Sequence, residues 1–152
     1  MTLASTTPLS NIVSRKELLL IVAVVDVAIH GRDQPVRTRE VAARHSSRAR
    51  FFEPLLQILA GCGILQSKRG RNGGYRLARD PRRITVADLM RAARGAEEKV
   101  AGRQNAIERL VSRTLEAAVD GLSESSLGIT IQDLVESAES LNAPHGKARR
   151  GR

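Results

Sequence analysis

Residues 36–77, VRTREVAARHSSRARFFEPLLQILAGCGILQSKRGRNGGYRL, decide the fold. Val36–Arg44 is a short run of good helix formers with apolar Val41 and Ala42. Ser46 and Ser47 follow, residue types whose hydroxyls satisfy the free N–H groups of a helix start. From Phe51 to Gly61 the apolar positions Phe51, Leu55, Ile58 and Leu59 fall three and four apart, which marks one face of a second helix. Gly61 and Gly63 suit its end, because glycine takes the left-handed conformation without a Cβ penalty. Two short helices joined by a few residues predict a helix-turn-helix. Beyond them, Ile64-Leu65 and Tyr75-Arg76-Leu77 read as two short strands around Ser67–Gly74, a turn in which Asn and Gly supply the positive-φ positions a hairpin needs.

Between Lys68 and Arg83 there are seven Lys or Arg and one acid, Asp80. A hairpin tipped with guanidinium groups, directly after a helix-turn-helix, is the layout of a winged-helix DNA-binding domain. At these residues the chain resembles the bacterial winged-helix transcriptional regulators that include IscR, NsrR and CymR. That family's signature is an aromatic-Leu-Glu recognition helix, a Gly-Leu-Val step and an Arg-Gly-x-x-Gly-Gly-Tyr-x-Leu wing. Here it stands as Phe51-Phe52-Glu53, Gly63-Ile64-Leu65 and Arg69-Gly70-Arg71-Asn72-Gly73-Gly74-Tyr75-Arg76-Leu77. Ile84-Thr85-Val86-Ala87-Asp88-Leu89 also fits, and the likeness runs from about Leu18 to about Leu134. The fold class is mainly α with a small β-wing: a winged helix-turn-helix domain plus a long C-terminal helix.

Composition agrees. The 152 residues suffice for one domain with an appended element, and 2% aromatic content makes the core aliphatic. The formal charge of +9 is unevenly spread. Residues 1–84 hold fifteen basic and six acidic side chains, residues 85–140 hold six and ten, and the tail from Leu141 adds four cations. A basic front and an acidic rear predict that only the front faces a polyanion. The single cysteine, Cys62, excludes an internal disulfide and points to a reducing compartment. Arg15-Lys16 ahead of Leu18–Val25 has the outline of a signal peptide, but Glu17 and Asp26 bracket a very short apolar run with no clean cleavage site. That run is also too short to cross a bilayer. A buried helix is expected, in a cytoplasmic protein with no membrane partner.

Taken in order, residues 1–11 read as a flexible N-terminus and 12–95 as the winged helix-turn-helix domain, opening with a helix from Arg15 to His30 capped by Ser14. Thr85 and Asp88 form a capping box for a helix from Val86 to about Arg94, followed by a polar loop over Gly95–Gly102. Residues 96–140 read as a dimerisation helix and a short C-terminal helix. Ile107, Leu110, Val111, Thr114, Leu115, Ala118 and Leu122 keep helical spacing, and packing that stripe on its symmetry mate would bury it in a two-fold dimer. The resembled family's long helix forms the dimer interface in this way; the rival is a helix folded back on its own domain. Ile129-Thr130-Ile131-Gln132-Asp133 repeats the Thr-x-x-Asp start and opens the short helix, and residues 141–152 read as a disordered basic tail.

Phosphates dominate affinity for DNA and call for cations or helix N-termini, whereas bases are read by side chains at the groove edges. Arg37, Thr38 and Arg39 open the first helix of the pair; Ser47, Arg48 and Arg50 open the second, where Arg donors suit guanine O6 and N7. Glu53 matches a family position implicated in base discrimination. Pro54 departs from the Gln often found next, removes a polar reader, and makes the helix start later than Ser47 or bend. In the wing, Lys68, Arg69, Arg71, Asn72, Gly73 and Tyr75 are candidate contacts, with Arg69 and Arg71 suited to a narrow minor groove. The glycine-rich turn joins two strands and lacks G-x-x-x-x-G-K-[ST], which sets aside a nucleotide loop.

Many relatives hold an iron–sulfur cluster on three cysteines after the fourth helix; residues 91–104 contain none, so no metal and no cofactor is expected. Cys62 is expected as a small buried residue, since a redox switch needs exposure and a low pKa. His30, His45 and His145 show no ligand spacing, and no constellation supports catalysis. The expectation is a dimeric, sequence-specific DNA-binding regulator of the repressor type at a palindromic operator, with the effector unassigned. A nonspecific nucleic-acid binder and an interaction adaptor without an operator are the alternatives.

Overall fold

The computed structural model describes residues 14–100, 107, 110 and 128–142. Helix α1, Arg15–His30, begins where the Ser14 hydroxyl accepts from the Glu17 N–H and the Glu17 carboxylate accepts from the Ser14 N–H. It buries Leu20, Ala23, Val24, Val27 and Ala28. Helix α2 follows over Thr38–Arg44 and helix α3 over Ala49–Gly61, and they pack together and onto α1. Strands β1, Leu65–Lys68, and β2, Gly74–Leu77, pair antiparallel with Leu65 opposite Leu77 and Lys68 opposite Gly74. A 3-10 turn at Pro81–Arg83 leads to helix α4, Val86–Val100, and the last described helix, α5, spans Ile131–Asn142.

Ser46 and Ser47 close α2 instead of capping α3. Ser46 lies at φ 49° and Ser47 N–H donates to Ala42 O at 2.9 Å, so the two serines form a left-handed exit turn. Helix α3 starts at Ala49 with Arg48 as its N-cap, later than Ser47 as Pro54 suggested. Its far end repeats the device with glycine. Gly63 has φ 72°, Gly63 N–H donates to Ala60 O and Ile64 N–H to Leu59 O, which satisfies two terminal carbonyls. The turn leaves Cys62 exposed, correcting its expected burial.

The phase of α3 is also corrected. Phe52, Leu55, Leu56 and Leu59 are buried, at i, i+3, i+4 and i+7, whereas Phe51 is 52% exposed and Ile58 only half-buried. Two adjacent aromatics admit either phase, and the one that keeps Leu56 inside prevails. Phe52 is the largest fully buried side chain of an otherwise aliphatic core. At roughly 1.5–3 kcal/mol for each large apolar side chain taken from water, this cluster is the main term holding the three helices together.

Helix α4 runs through Gly95 to Val100, where a loop was expected. Ala96, Glu97, Glu98 and Lys99 are strong helix formers that outweigh the ~1 kcal/mol a single glycine costs. Its capping box is as read: Thr85 N–H donates to Asp88 at 3.0 Å and Asp88 N–H to the Thr85 hydroxyl at 3.2 Å. The second start, Thr130 and Asp133, forms the same reciprocal pair. The two starts lie side by side: Thr85 and Thr130 form an antiparallel bridge, with Val86 N–H donating to Ile129 O and Ile131 N–H to Ile84 O. Helix α5 then packs on α1, its Ile131 and Val135 inside the core of the head. Of the proposed dimerisation stripe, Ile107 and Leu110 are helical and exposed; Val111, Thr114, Leu115, Ala118 and Leu122 lie outside the described residues. So do residues 1–11 and the tail after Asn142, while Leu141 and Asn142 are the last residues of α5.

Candidate nucleic-acid interface

The wing is fixed to the helix-turn-helix through Val36. Val36 N–H donates to Tyr75 O and Tyr75 N–H to Val36 O, both at 2.8 Å, which adds a third short segment to the hairpin. Gly74 makes the approach possible. It sits at φ 150°, and a Cβ there would lie 2.5 Å from Val36 O. Gly70, at φ 109°, accepts from the Gly73 N–H at 3.0 Å and closes a turn that carries Arg71 and Asn72 at its tip. Gly70 and Gly74 supply the positive φ values; Asn72 does not, contrary to its expected part in the turn. Arg37 adds a clasp, its guanidinium donating to the Arg71 carbonyl.

Between α3 and the wing lies an open cleft of about 570 Å³. Seven of the candidate residues line it: Arg37, Thr38, Glu53, Lys68, Arg69, Gly73 and Tyr75. Gln57 lines it too and escaped the sequence reading, although its place one turn beyond Glu53 was a usable signal. Burial raises the pKa of Tyr75, and the nearby Glu53 carboxylate adds to the rise. Arg39, Arg48 and Arg50 are exposed outside the cleft and Ser47 is half-buried. Lys68 and Asn72 also border a smaller recess with Asp33 and Arg76 on the wing's other side. Glu40 accepts from the Arg37 N–H at 2.7 Å, so one terminal donor of α2 that was expected to serve a phosphate is already used.

Beneath this face an ionic cluster sets the turn between α2 and α3. Asp26 of α1 is 4% exposed, and it accepts from Arg44 Nε at 2.9 Å and from Arg44 Nη2 at 2.6 Å. His45 Nε2 donates at 2.9 Å to Oδ2, the oxygen that also accepts from Arg44 Nε, and His30 Nδ1 lies 3.6 Å from Oδ1 while donating to the Asp26 carbonyl. The Asp26 hydrogen bond raises the Arg44 pKa against the desolvation that lowers it. The His45 ring packs 5.9 Å from that of Phe52, which joins the cluster to the buried side of α3. Two histidines that looked scattered in sequence thus meet at one carboxylate. Among the described residues no group of three or more His, Cys, Asp or Glu is placed to hold a metal ion. An iron–sulfur cluster draws on thiolates, and a chain with one cysteine does not fit the three-cysteine set.

Comparison with known proteins agrees with this geometry. Residues 13–137 match the sequence profile of the Rrf2 family, described as an iron-dependent transcriptional regulator. The chain is 34% identical over 77 residues to Protein rrf2 of Nitratidesulfovibrio vulgaris, covering 51% of each. It is 26% identical over 148 residues to the HTH-type transcriptional regulator IscR of Photorhabdus laumondii, covering 85% of this chain and 88% of that one. With Protein rrf2 and with IscR of Xenorhabdus nematophila the chain spans only about half of the relative, 51% and 44%. Among solved structures, T. potens IscR superposes with a TM-score of 0.65 at 29% identity, over 88% of this chain and 93% of that one. CymR of B. subtilis, at 21% identity and a TM-score of 0.59 over 82% and 96%, shares the fold. A winged helix whose family profile covers nearly all of the described residues places this chain in the Rrf2 family of transcriptional regulators.

Proposed function

We propose that this chain is a cytoplasmic homodimer that binds duplex DNA at a palindromic operator and represses transcription. Helix α3 enters the major groove and the wing reaches the adjacent minor groove. The observation that carries the reading is the cleft in which Arg37, Lys68 and Arg69 face Glu53 and Gln57 across the seam between α3 and wing. The cations of the wing and of the α2 start hold a phosphate strand, while the outward side of α3 meets base edges. Arg48 and Arg50 at the start of α3 supply guanine-reading donors, and Arg71 and Asn72 at the hairpin tip supply minor-groove contacts. The helical spacing of Ile107, Leu110, Val111, Thr114, Leu115, Ala118 and Leu122 supports pairing of two copies, with half-sites about one helical turn apart or a multiple of it. No helix among the described residues is long and apolar enough to cross a membrane.

The test is binding to a duplex selected from random DNA, against random duplex and single strands, over a range of salt. Arg48→Ala or Arg50→Ala is expected to cost on the order of 1–3 kcal/mol on the selected site and to relax specificity. Arg69→Ala should weaken both duplexes and reduce the salt slope by about one. Equal affinity for selected and random duplex would mean nonspecific nucleic-acid binding, and no retention at moderate salt would mean an adaptor.

A further inference from the structure

Phe51 stands outside every role assigned so far. It is the third residue of α3, 52% exposed, and not among the side chains packed on the core, whereas Phe52 beside it is fully buried. The Arg50 guanidinium carbon lies 5.0 Å from its ring centroid. Consecutive residues on a helix diverge by about 100°, so Arg50 has to fold sideways to reach the ring. That contact seats the cation, and a guanidinium's N–H donors, which lie in its own plane, stay available at the edge. An apolar ring can bond neither a phosphate nor a base heteroatom. In the major groove its complement is the C5 methyl of a pyrimidine, as guanine O6 and N7 are the complement of Arg.

Resting on the DNA-binding reading above, we propose that Arg50 and Phe51 act as one specificity element that recognises a guanine next to a 5-methylpyrimidine. Phe51 is the residue that detects the methyl group. It also holds Arg50 ready for the guanine, so the two residues read neighbouring bases. Arg48 and Arg50 give the surroundings of Phe51 a cationic character that favours a polyanion over an apolar protein surface. Thymine and 5-methylcytosine both carry this methyl, and the experiment separates them.

The full chain first selects duplexes from a random pool. Thymines of the recovered site are then replaced singly by deoxyuridine, and cytosines by 5-methylcytosine. Wild type should show one position beside a guanine where the methyl changes affinity about fourfold, the value of one methyl removed from water. A loss with deoxyuridine identifies thymine, and a gain with 5-methylcytosine identifies the methylated base. Phe51→Ala should abolish that dependence while keeping its circular-dichroism melt and its affinity for random duplex within twofold. Phe51→Leu, which keeps apolar bulk, should restore part of it. The inference is overturned if neither arm shows a methyl effect in wild type, or if the effect survives in Phe51→Ala. Equal losses on selected and random duplex with a change in oligomeric state would also overturn it, by assigning Phe51 to a protein contact. Failure of wild type to select any sequence would remove the sequence-specific DNA-binding reading as well, so the two failures are distinguishable.

Discussion

Arg44→Ala removes the guanidinium that donates, at 2.9 and 2.6 Å, to both oxygens of Asp26, a residue 4% exposed in the intact protein. Stripping one partner from a buried ion pair costs ~3–5 kcal/mol, because the other charge stays behind. Two features reduce the figure here. The Arg44 side chain is 34% exposed, so water reaches the place it vacates, and His45 keeps its hydrogen bond at 2.9 Å. The expected loss is therefore ~2 kcal/mol. With a urea slope of about 1.5 kcal/mol/M, the unfolding midpoint falls by about 1.3 M. Protein concentration is held fixed, since association shifts apparent stability by mass action. Removing both charges in Asp26→Ala/Arg44→Ala strands no charge and frees only the part-exposed His45 N–H, so the double variant should lose at least ~1 kcal/mol less than the sum of the single losses. Additive losses to within ~0.3 kcal/mol, or an Arg44→Ala loss below ~0.5 kcal/mol, would refute the account of this cluster.

Gly74→Ala places a Cβ 2.5 Å from Val36 O at φ 150°, and should cost on the order of 1–3 kcal/mol in thermal or urea unfolding while weakening DNA binding by releasing the wing from Val36. Ser46→Gly relieves a left-handed residue at φ 49° and should raise stability by about 1 kcal/mol in the same assays, with DNA affinity unchanged. Asp88 is partly desolvated, which raises its pKa, but hydrogen bonds from the Thr85 N–H, Arg91 and the Thr85 hydroxyl prevail and hold it below the usual carboxylate range. A depressed folded-state pKa contributes stability above the unfolded value of about 3.9, and that contribution is lost as pH falls further. The melting temperature of Asp88→Asn should thus drop less than that of wild type between pH 5 and pH 3.

The helix-turn-helix and the wing were legible because their signals are local. The apolar spacing in 51–61, Gly63 at a helix exit and the glycine-rich turn each specify their own backbone within a few residues. Phe51 was misassigned because neighbouring aromatics allow two phases, and only packing on α1 and α2 selects Phe52. Ser46 and Ser47 favour a helix start by type, yet here the same residues end the preceding helix. Asp26 was visible only as a charge interrupting an apolar helix; its partners Arg44 and His45 are 18 and 19 residues away and meet it through tertiary packing. The cleft was legible as a set of cations and a hairpin, but not the clasp from Arg37 to the Arg71 carbonyl, which depends on how the hairpin leans.

The bridge between Thr85 and Thr130 has a practical corollary. Ile131 and Val135, which follow α4 by more than thirty residues in sequence, are 0% and 2% exposed, so part of the floor under α1 is encoded far downstream of the wing. A fragment cut after α4 would carry the helix-turn-helix and the wing and still lack two of their supporting side chains. It should expose apolar surface and aggregate, whereas a chain kept intact to Asn142 retains them. The portable DNA-binding unit of this protein is thus written in two separated passages of the gene, and boundaries drawn from linear order would divide it.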